Sequence, residues 1–163
     1  MRSAMLVLLL CLFGTSAMAA EPLVIADLPG MKAFFYHQES GTLGDKDLLG
    51  SQDISLWNVF IGEGSAGGQP SNATLVLVEV ACPDFAKAKG TLHVMATEGK
   101  KVLARQAVPL KDLGAVEKHS VHFPVLLYQT GTAPVKITAT IKGMPGMKKA
   151  PTLTRELPFA FGE

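Results

Sequence analysis

Short stretches of alternating apolar and polar residues recur along most of the chain, and they predict an all-β fold. Residues 135–142 (VKITATIK) alternate without an error, which is the period-two pattern of a strand with one solvated face. Residues 73–81 (ATLVLVEVA) are apolar on both faces for most of their length, as expected of a central strand. Further strands are predicted at 23–27, 31–37, 54–61, 90–97, 101–108, 119–128 and 152–161.

The segments between these strands are rich in glycine, proline and small polar residues. Glu98-Gly99-Lys100 predicts a hairpin turn, residues 143–146 (GMPG) a second turn, and residues 38–53 and 62–72 longer loops. Apolar residues nowhere recur at helical spacing over three turns. About seven to nine short strands without helices are typical of a two-sheet antiparallel sandwich of immunoglobulin-like type, with a small closed β-barrel as the alternative.

The first nineteen residues have the three parts of a secretory signal peptide. Arg2 supplies a basic start, residues 6–13 an unbroken apolar run, and Ala17-Met18-Ala19 a small-residue cleavage site. The apolar run is shorter than the roughly 20 residues that span a bilayer. We therefore expect a signal peptide at 1–19, one β-sandwich domain at 20–163, no membrane span after cleavage, and a periplasmic or secreted location.

Charge and cysteine content narrow the possible partners of that domain. Arg2 is the only charged residue among the first nineteen, so loss of this segment leaves equal numbers of basic and acidic residues, 14 of each. A neutral domain without a basic run lacks the composition expected of a protein that binds nucleic acid or an anionic membrane surface. Cys82 is the only cysteine after residue 19, and its place at the end of an apolar strand predicts a buried thiol, with an interchain disulfide as the alternative.

The glycine-rich stretch at 62–67 (GEGSAG) resembles two catalytic motifs without fulfilling either. It matches G-x-G-x-x-G after a predicted strand, but no helix follows to bind a pyrophosphate. A nucleophile elbow at Ser65 would need glycine where Glu63 stands, and again a helix. A hydrolase using Ser65 is thus the weakest of three function classes, and the sequence predicts no enzyme.

Soft metal ligands occur in two places. His93 and Met95 are two apart in a predicted strand and share its polar face, whereas His119 and His122, three apart, would point to opposite faces. Met144 and Met147 flank a turn that could direct both sulfurs to one ion, and thioether with imidazole suits copper. The Gly-Met-Pro-Gly-Met stretch resembles the methionine-rich loops of periplasmic copper-resistance proteins, without their N-terminal histidine or longer methionine series, and the resemblance implies copper binding.

Two functions follow as expectations. The first is an exported, non-enzymatic module that has no cofactor and binds an envelope protein or extracellular ligand. Its contacts would lie in the loops 38–53 and 62–72, with Glu63 and Ser65 among them. Leu48 and Leu49 would act as exposed anchors, or would alternatively tuck under the sheet. The second is a periplasmic copper-binding accessory protein that uses His93, Met95, Met144 and Met147 as ligands.

Overall fold

The computed structural model describes residues 23–50, 71, 73–114, 119–131 and 133–159. Within them the strands are β1 (Asp27–His37), β2 (Thr42–Leu43), β3 (Ala73–Ala81), β4 (Thr91–Glu98), β5 (Lys101–Pro109), β6 (Ser120–Tyr128), β7 (Val135–Lys142) and β8 (Thr152–Leu157). One turn of 3-10 helix, Leu110–Asp112, connects β5 to β6. No helix in these ranges is long and apolar enough to cross a membrane.

The eight strands form two antiparallel sheets of four. Sheet A has the order β2-β1-β3-β6 and sheet B the order β5-β4-β7-β8. Pairing is continuous along one inner strand of each sheet: every residue of β3 has a partner in β6, and every residue of β4 has one in β7. The predicted two-sheet antiparallel sandwich is therefore confirmed over the described residues, and the closed barrel is not formed.

The core lies between the sheets and is built from alternate residues of each inner strand. In β3 every second side chain from Val76 to Val80 is fully buried, and in β7 the same holds from Ile137 to Ile141. Successive side chains of a strand point to opposite faces, so this alternation means that one face of each sheet packs against the other sheet. Full burial of one such aliphatic side chain contributes about 1.5–3 kcal/mol.

The short strand β2 lies in the predicted loop 38–53 and was not predicted. The other strand bounds agree with the sequence pattern except near the beginning and the end of the chain. The strand predicted at 23–27 is wrong over residues 23–26, which form no strand. The strand predicted at 31–37 is the later part of β1, which begins at Asp27 and whose register with β3 shifts between Asp27 and Gly30. Pro29 lies inside this irregularity, where its missing N–H costs no ladder hydrogen bond. Strand β8 ends at Leu157, before Pro158, rather than at 161. The predicted strand at 54–61 lies outside the described residues.

Candidate functional site

His93 and Met95 lie side by side on the outer face of sheet B. Leu92, before them, and Val94, between them, are buried, whereas Met95 is 37 % exposed. The sulfur of Met95 accepts a weak hydrogen bond from the Arg105 guanidinium, with Nη2 3.8 Å from Sδ. The predicted shared face is therefore confirmed. A permanent cation beside the thioether opposes the binding of a second cation there.

Met144 is directed away from this face. It is 7 % exposed and belongs to the core, and its Sδ accepts a hydrogen bond from the backbone N–H of Ala26 at 3.4 Å. Met147, on the far side of the turn, is 36 % exposed. The structure thus places one of the four candidate copper ligands inside the sandwich and does not gather all four. Over the described ranges, no three His, Cys, Asp or Glu side chains are grouped so that they could hold a metal ion.

The loop after β1 is fixed along the edge of that strand. The Asp47 carboxylate accepts hydrogen bonds through Oδ1 from the backbone N–H groups of Ala33 and Leu49, each at 3.0 Å. The Leu48 N–H donates to the Ala33 carbonyl at 2.7 Å, and the Leu48 side chain is 4 % exposed. Leu49 is half-buried and packs against the core. Both leucines are therefore tucked under the sheet, the second of the two expected alternatives, and Leu48 is not an exposed anchor.

Two other expected contacts, Glu63 and Ser65, lie outside the described residues. The structure instead presents an apolar surface that the sequence analysis did not identify. On the outer side of sheet A, Phe34 pairs with Leu75, and Leu75 pairs with Leu126, so three large apolar side chains form one row across three strands. All three are half-buried. A solvated sheet face ordinarily carries polar residues at these positions.

Two more apolar residues extend this row along the strands. Leu77, two residues after Leu75 on the same face of β3, is half-buried, and Tyr128, the last residue of β6, is 56 % exposed. We name this surface face A and define it by Phe34, Leu75, Leu77, Leu126 and Tyr128.

Face A ends at a polar group. Glu79 lies beside Gly30 in the register, and a Cβ on Gly30 would be 3.0 Å from Glu79 Oε2. The Ser120 hydroxyl donates to Glu79 Oε1 at 2.9 Å. The single carboxylate of β3 is thereby held over a glycine and bonded to its neighbouring strand. Face A consequently covers the part of β3 on the N-terminal side of Glu79.

The outer face of sheet B has a different composition. Four threonines there face one another across β7 and β8, and the hydroxyl oxygens are 3.3 Å apart in both pairs: Thr138 with Thr154, and Thr140 with Thr152. Thr152 and Thr154 are exposed and Thr138 and Thr140 are half-buried. Cross-strand threonine pairs with bonded hydroxyls are typical of a solvated sheet surface. The two exteriors therefore differ, and only sheet A combines aromatic and aliphatic residues in adjacent rows among the described strands.

Cys82 is a core residue rather than a reactive one. Its side chain is 1 % exposed, and its backbone N–H donates to the His119 carbonyl at 2.8 Å. Burial raises the pKa of the Cys82 thiol, and a hydrogen bond from the backbone N–H of Asp84 opposes that rise only in part. The prediction of a buried thiol is confirmed, and burial keeps the sulfur from the surface where an interchain disulfide would form.

The chain matches no known family model, no curated protein and no solved structure in comparisons with each. A proposal on its function therefore rests on its own residues.

Proposed function

We propose that this chain is an exported, non-enzymatic β-sandwich module that binds a protein of the cell envelope through face A. The row formed by Phe34, Leu75 and Leu126 is the observation that supports it most directly. Four residues of face A are half-buried and Tyr128 is exposed, so face A is a contiguous apolar surface that solvent reaches in part. Contiguous apolar surface of this kind is typical of interaction sites. Aromatic residues such as Phe34 and Tyr128 are also enriched at the centres of protein interfaces.

A protein partner fits face A better than a small ligand does. Pockets for small molecules are concave and enclose most of the ligand, whereas face A is the outer side of a sheet. The polar residues around it supply a rim: Lys32 lies beside Leu77 on β1, and His122 lies beside Glu79 on β6. Both rim residues are exposed. A partner with an apolar centre and polar margins would complement this arrangement.

The export part of the proposal rests on the pattern of residues 1–19. Expression of the full chain in a Gram-negative host tests it directly, because signal peptidase cleavage after Ala19 would leave a periplasmic protein beginning at Ala20. The intact mass and the N-terminal sequence of the periplasmic protein provide the readout. A chain that stays in the cytoplasm with its first nineteen residues intact would refute export.

Site-specific photo-crosslinking in intact cells tests face A. Tyr128 is replaced by p-benzoylphenylalanine, and Val102 on β5 of sheet B, 48 % exposed against 56 % for Tyr128, provides a matched control position. We expect an adduct with a second protein from position 128, none from position 102, and loss of the adduct when Leu126→Ser is added. Three results would each refute face A as the binding surface. They are adducts only with this chain's own residues, the same adducts from positions 128 and 102, and no adduct at all.

The copper-binding alternative has weaker support. The Met144 sulfur lies in the core, where it accepts a hydrogen bond from the Ala26 N–H, and the Met95 sulfur lies beside Arg105.

A further inference from the structure

Chain segments distant in sequence meet where β4 begins and β7 ends. Gly90 has φ +124°, and a Cβ placed on it would lie 2.9 Å from the Lys142 carbonyl oxygen and 3.5 Å from Leu110 Cδ1. The Leu110 N–H also donates to the Gly90 carbonyl at 3.1 Å. The segments around residues 90, 110 and 142 are therefore in direct contact at one end of the sandwich.

The residues before β1 reach the same end. The Ala26 N–H bonds Met144 Sδ at 3.4 Å, and a Cβ on Gly146, which has φ +73°, would lie 2.9 Å from Leu23 Cδ2. Residues 23–26 thus run along the turn that follows β7. We define the lysine end as residues 23–27, 83–90, 110–112 and 142–149.

Basic side chains are concentrated in the lysine end. Its basic residues are Lys87, Lys89, Lys111, Lys142, Lys148 and Lys149, and all six are exposed. Its acidic residues are Asp27, Asp84 and Asp112. Asp84 forms an ion pair with Lys87 at 3.1 Å, which cancels one charge of each sign. Six basic residues against three acidic ones give this end a formal surplus of three positive charges.

The opposite end of the sandwich has no such surplus among its described residues. Its basic residues are Lys46, Lys100, Lys101, Lys136 and Arg155, and its acidic residues are Glu39, Asp45, Asp47, Glu98 and Glu156. The near-neutral composition of the chain therefore conceals an uneven distribution of charge. The fold creates this unevenness, because it brings lysines from three separate segments to one end.

Exposed apolar side chains lie among these lysines. Leu23 is 51 % exposed, Ile25 is 46 % exposed and Met147 is 36 % exposed. Leu23 reaches the turn at Gly146, next to Met147 and the two lysines that follow it. Lysines around exposed aliphatic residues form the combination with which proteins bind at the headgroup region of anionic bilayers.

We propose that the lysine end binds an anionic phospholipid surface. The lysines contact lipid phosphates, and Leu23, Ile25 and Met147 enter the boundary between headgroups and acyl chains. A soluble polyanion would use the lysines alone and would leave these three apolar side chains in water, so the lipid surface fits both features. Face A runs along sheet A rather than across its end, so a protein partner could bind at the same time. Binding of the lysine end to lipid therefore does not depend on protein binding at face A.

Vesicle partitioning of the protein recovered from the periplasm, without detergent, tests the proposal. The vesicles contain about 30 % phosphatidylglycerol in phosphatidylcholine, with pure phosphatidylcholine as the reference. The test variant is Lys148→Ser with Lys149→Ser, and the matched control is Lys100→Ser with Lys101→Ser, which removes the same charge at the opposite end. Each lysine near an anionic membrane contributes about 1 kcal/mol, or about fivefold in partitioning. We therefore expect about a 25-fold loss for the test variant and less than twofold for the control.

A second comparison separates a membrane from a polyanion. Ile25→Ser with Met147→Ser leaves the charge unchanged, so it should weaken vesicle binding several-fold while leaving retention on immobilised heparin unaltered. Equal losses for the two double-lysine variants would refute the lysine end as the contact surface. A polyanion would be favoured over a lipid surface by two results together. Heparin retention would fall when Lys148 and Lys149 are replaced, and vesicle binding would be unchanged when Ile25 and Met147 are replaced. Equal partitioning into both vesicle types would refute any dependence on charge.

Discussion

Replacement of Gly90 by alanine should strongly destabilise the sandwich at the lysine end. Gly90 has φ +124°, a backbone conformation essentially restricted to glycine, and its added Cβ would lie 2.9 Å from the Lys142 carbonyl oxygen and 3.0 Å from Met144 Cγ. Neither neighbour moves easily. The carbonyl belongs to the end of β7, and the Met144 sulfur is held by the N–H of Ala26.

The magnitude follows from these two contributions. Backbone strain in this region costs about 1–3 kcal/mol, and forcing an extra methyl group into a packed site costs about 1–3 kcal/mol more. Gly99→Ala is the matched control, because Gly99 has φ +55° and its added Cβ would meet nothing within 4 Å. That change costs only the left-handed conformation, about 1 kcal/mol. The expected difference between the two variants is about 3 kcal/mol.

Urea denaturation followed by far-UV circular dichroism measures this difference. With a slope of about 2 kcal/mol/M, 3 kcal/mol corresponds to a shift of about 1.5 M in the midpoint between the two variants. In thermal unfolding it corresponds to roughly 10 °C. If Gly90→Ala is no less stable than Gly99→Ala, the close approach of residue 90 to β7 and Met144 does not exist in solution, and the geometry of the lysine end is incorrect.

Two further predictions concern sulfur. The pKa of the Cys82 thiol is raised in the folded protein, so the stability it contributes is complete below the ordinary value of 9.0 and is lost as pH rises through the folded-state pKa. The free energy of unfolding should therefore fall less steeply above pH 9 in Cys82→Ala than in the parent, and equal slopes would contradict burial of the thiol. Titration with Cu(I) should show no site tighter than micromolar, because the Met144 sulfur is buried and Met95 adjoins Arg105. A tighter site that is lost in both Met95→Leu and Met144→Leu would show that the four candidate ligands converge after all.

The strand pattern could be predicted because it is a local property. The alternation in Val135–Lys142 and the apolar run of Ala73–Ala81 each lie within one strand, and the structure gives both strands the predicted bounds. The shared outer face of His93 and Met95 was predictable for the same reason, since side chains two apart in a strand point the same way.

The candidate sites could be predicted only in part, because they depend on which strands are neighbours. The alternation of residues does not show that the Leu48 side chain is buried under the sheet. Nor does it show that the Met144 sulfur accepts a hydrogen bond from the N–H of Ala26, 118 residues away in sequence. The signal for face A was present in the sequence, since β3 is apolar on both faces. That pattern predicts a central strand, and β3 is an inner strand of sheet A. Only the register with Phe34 and Leu126 shows that its outer side belongs to an apolar row.

The sequence by itself determined the all-β class, the positions of most strands and which side chains share a strand face, because these follow from the two-residue period of an extended chain. Total charge was also determined, and it is close to neutral. Only the tertiary structure decided where that charge lies. Lysines that are 60 residues apart in the chain, such as Lys89 and Lys149, share one end of the sandwich because β4 and β7 run antiparallel. Surfaces are formed by residues close in space, and sequence separation carries no information on that closeness.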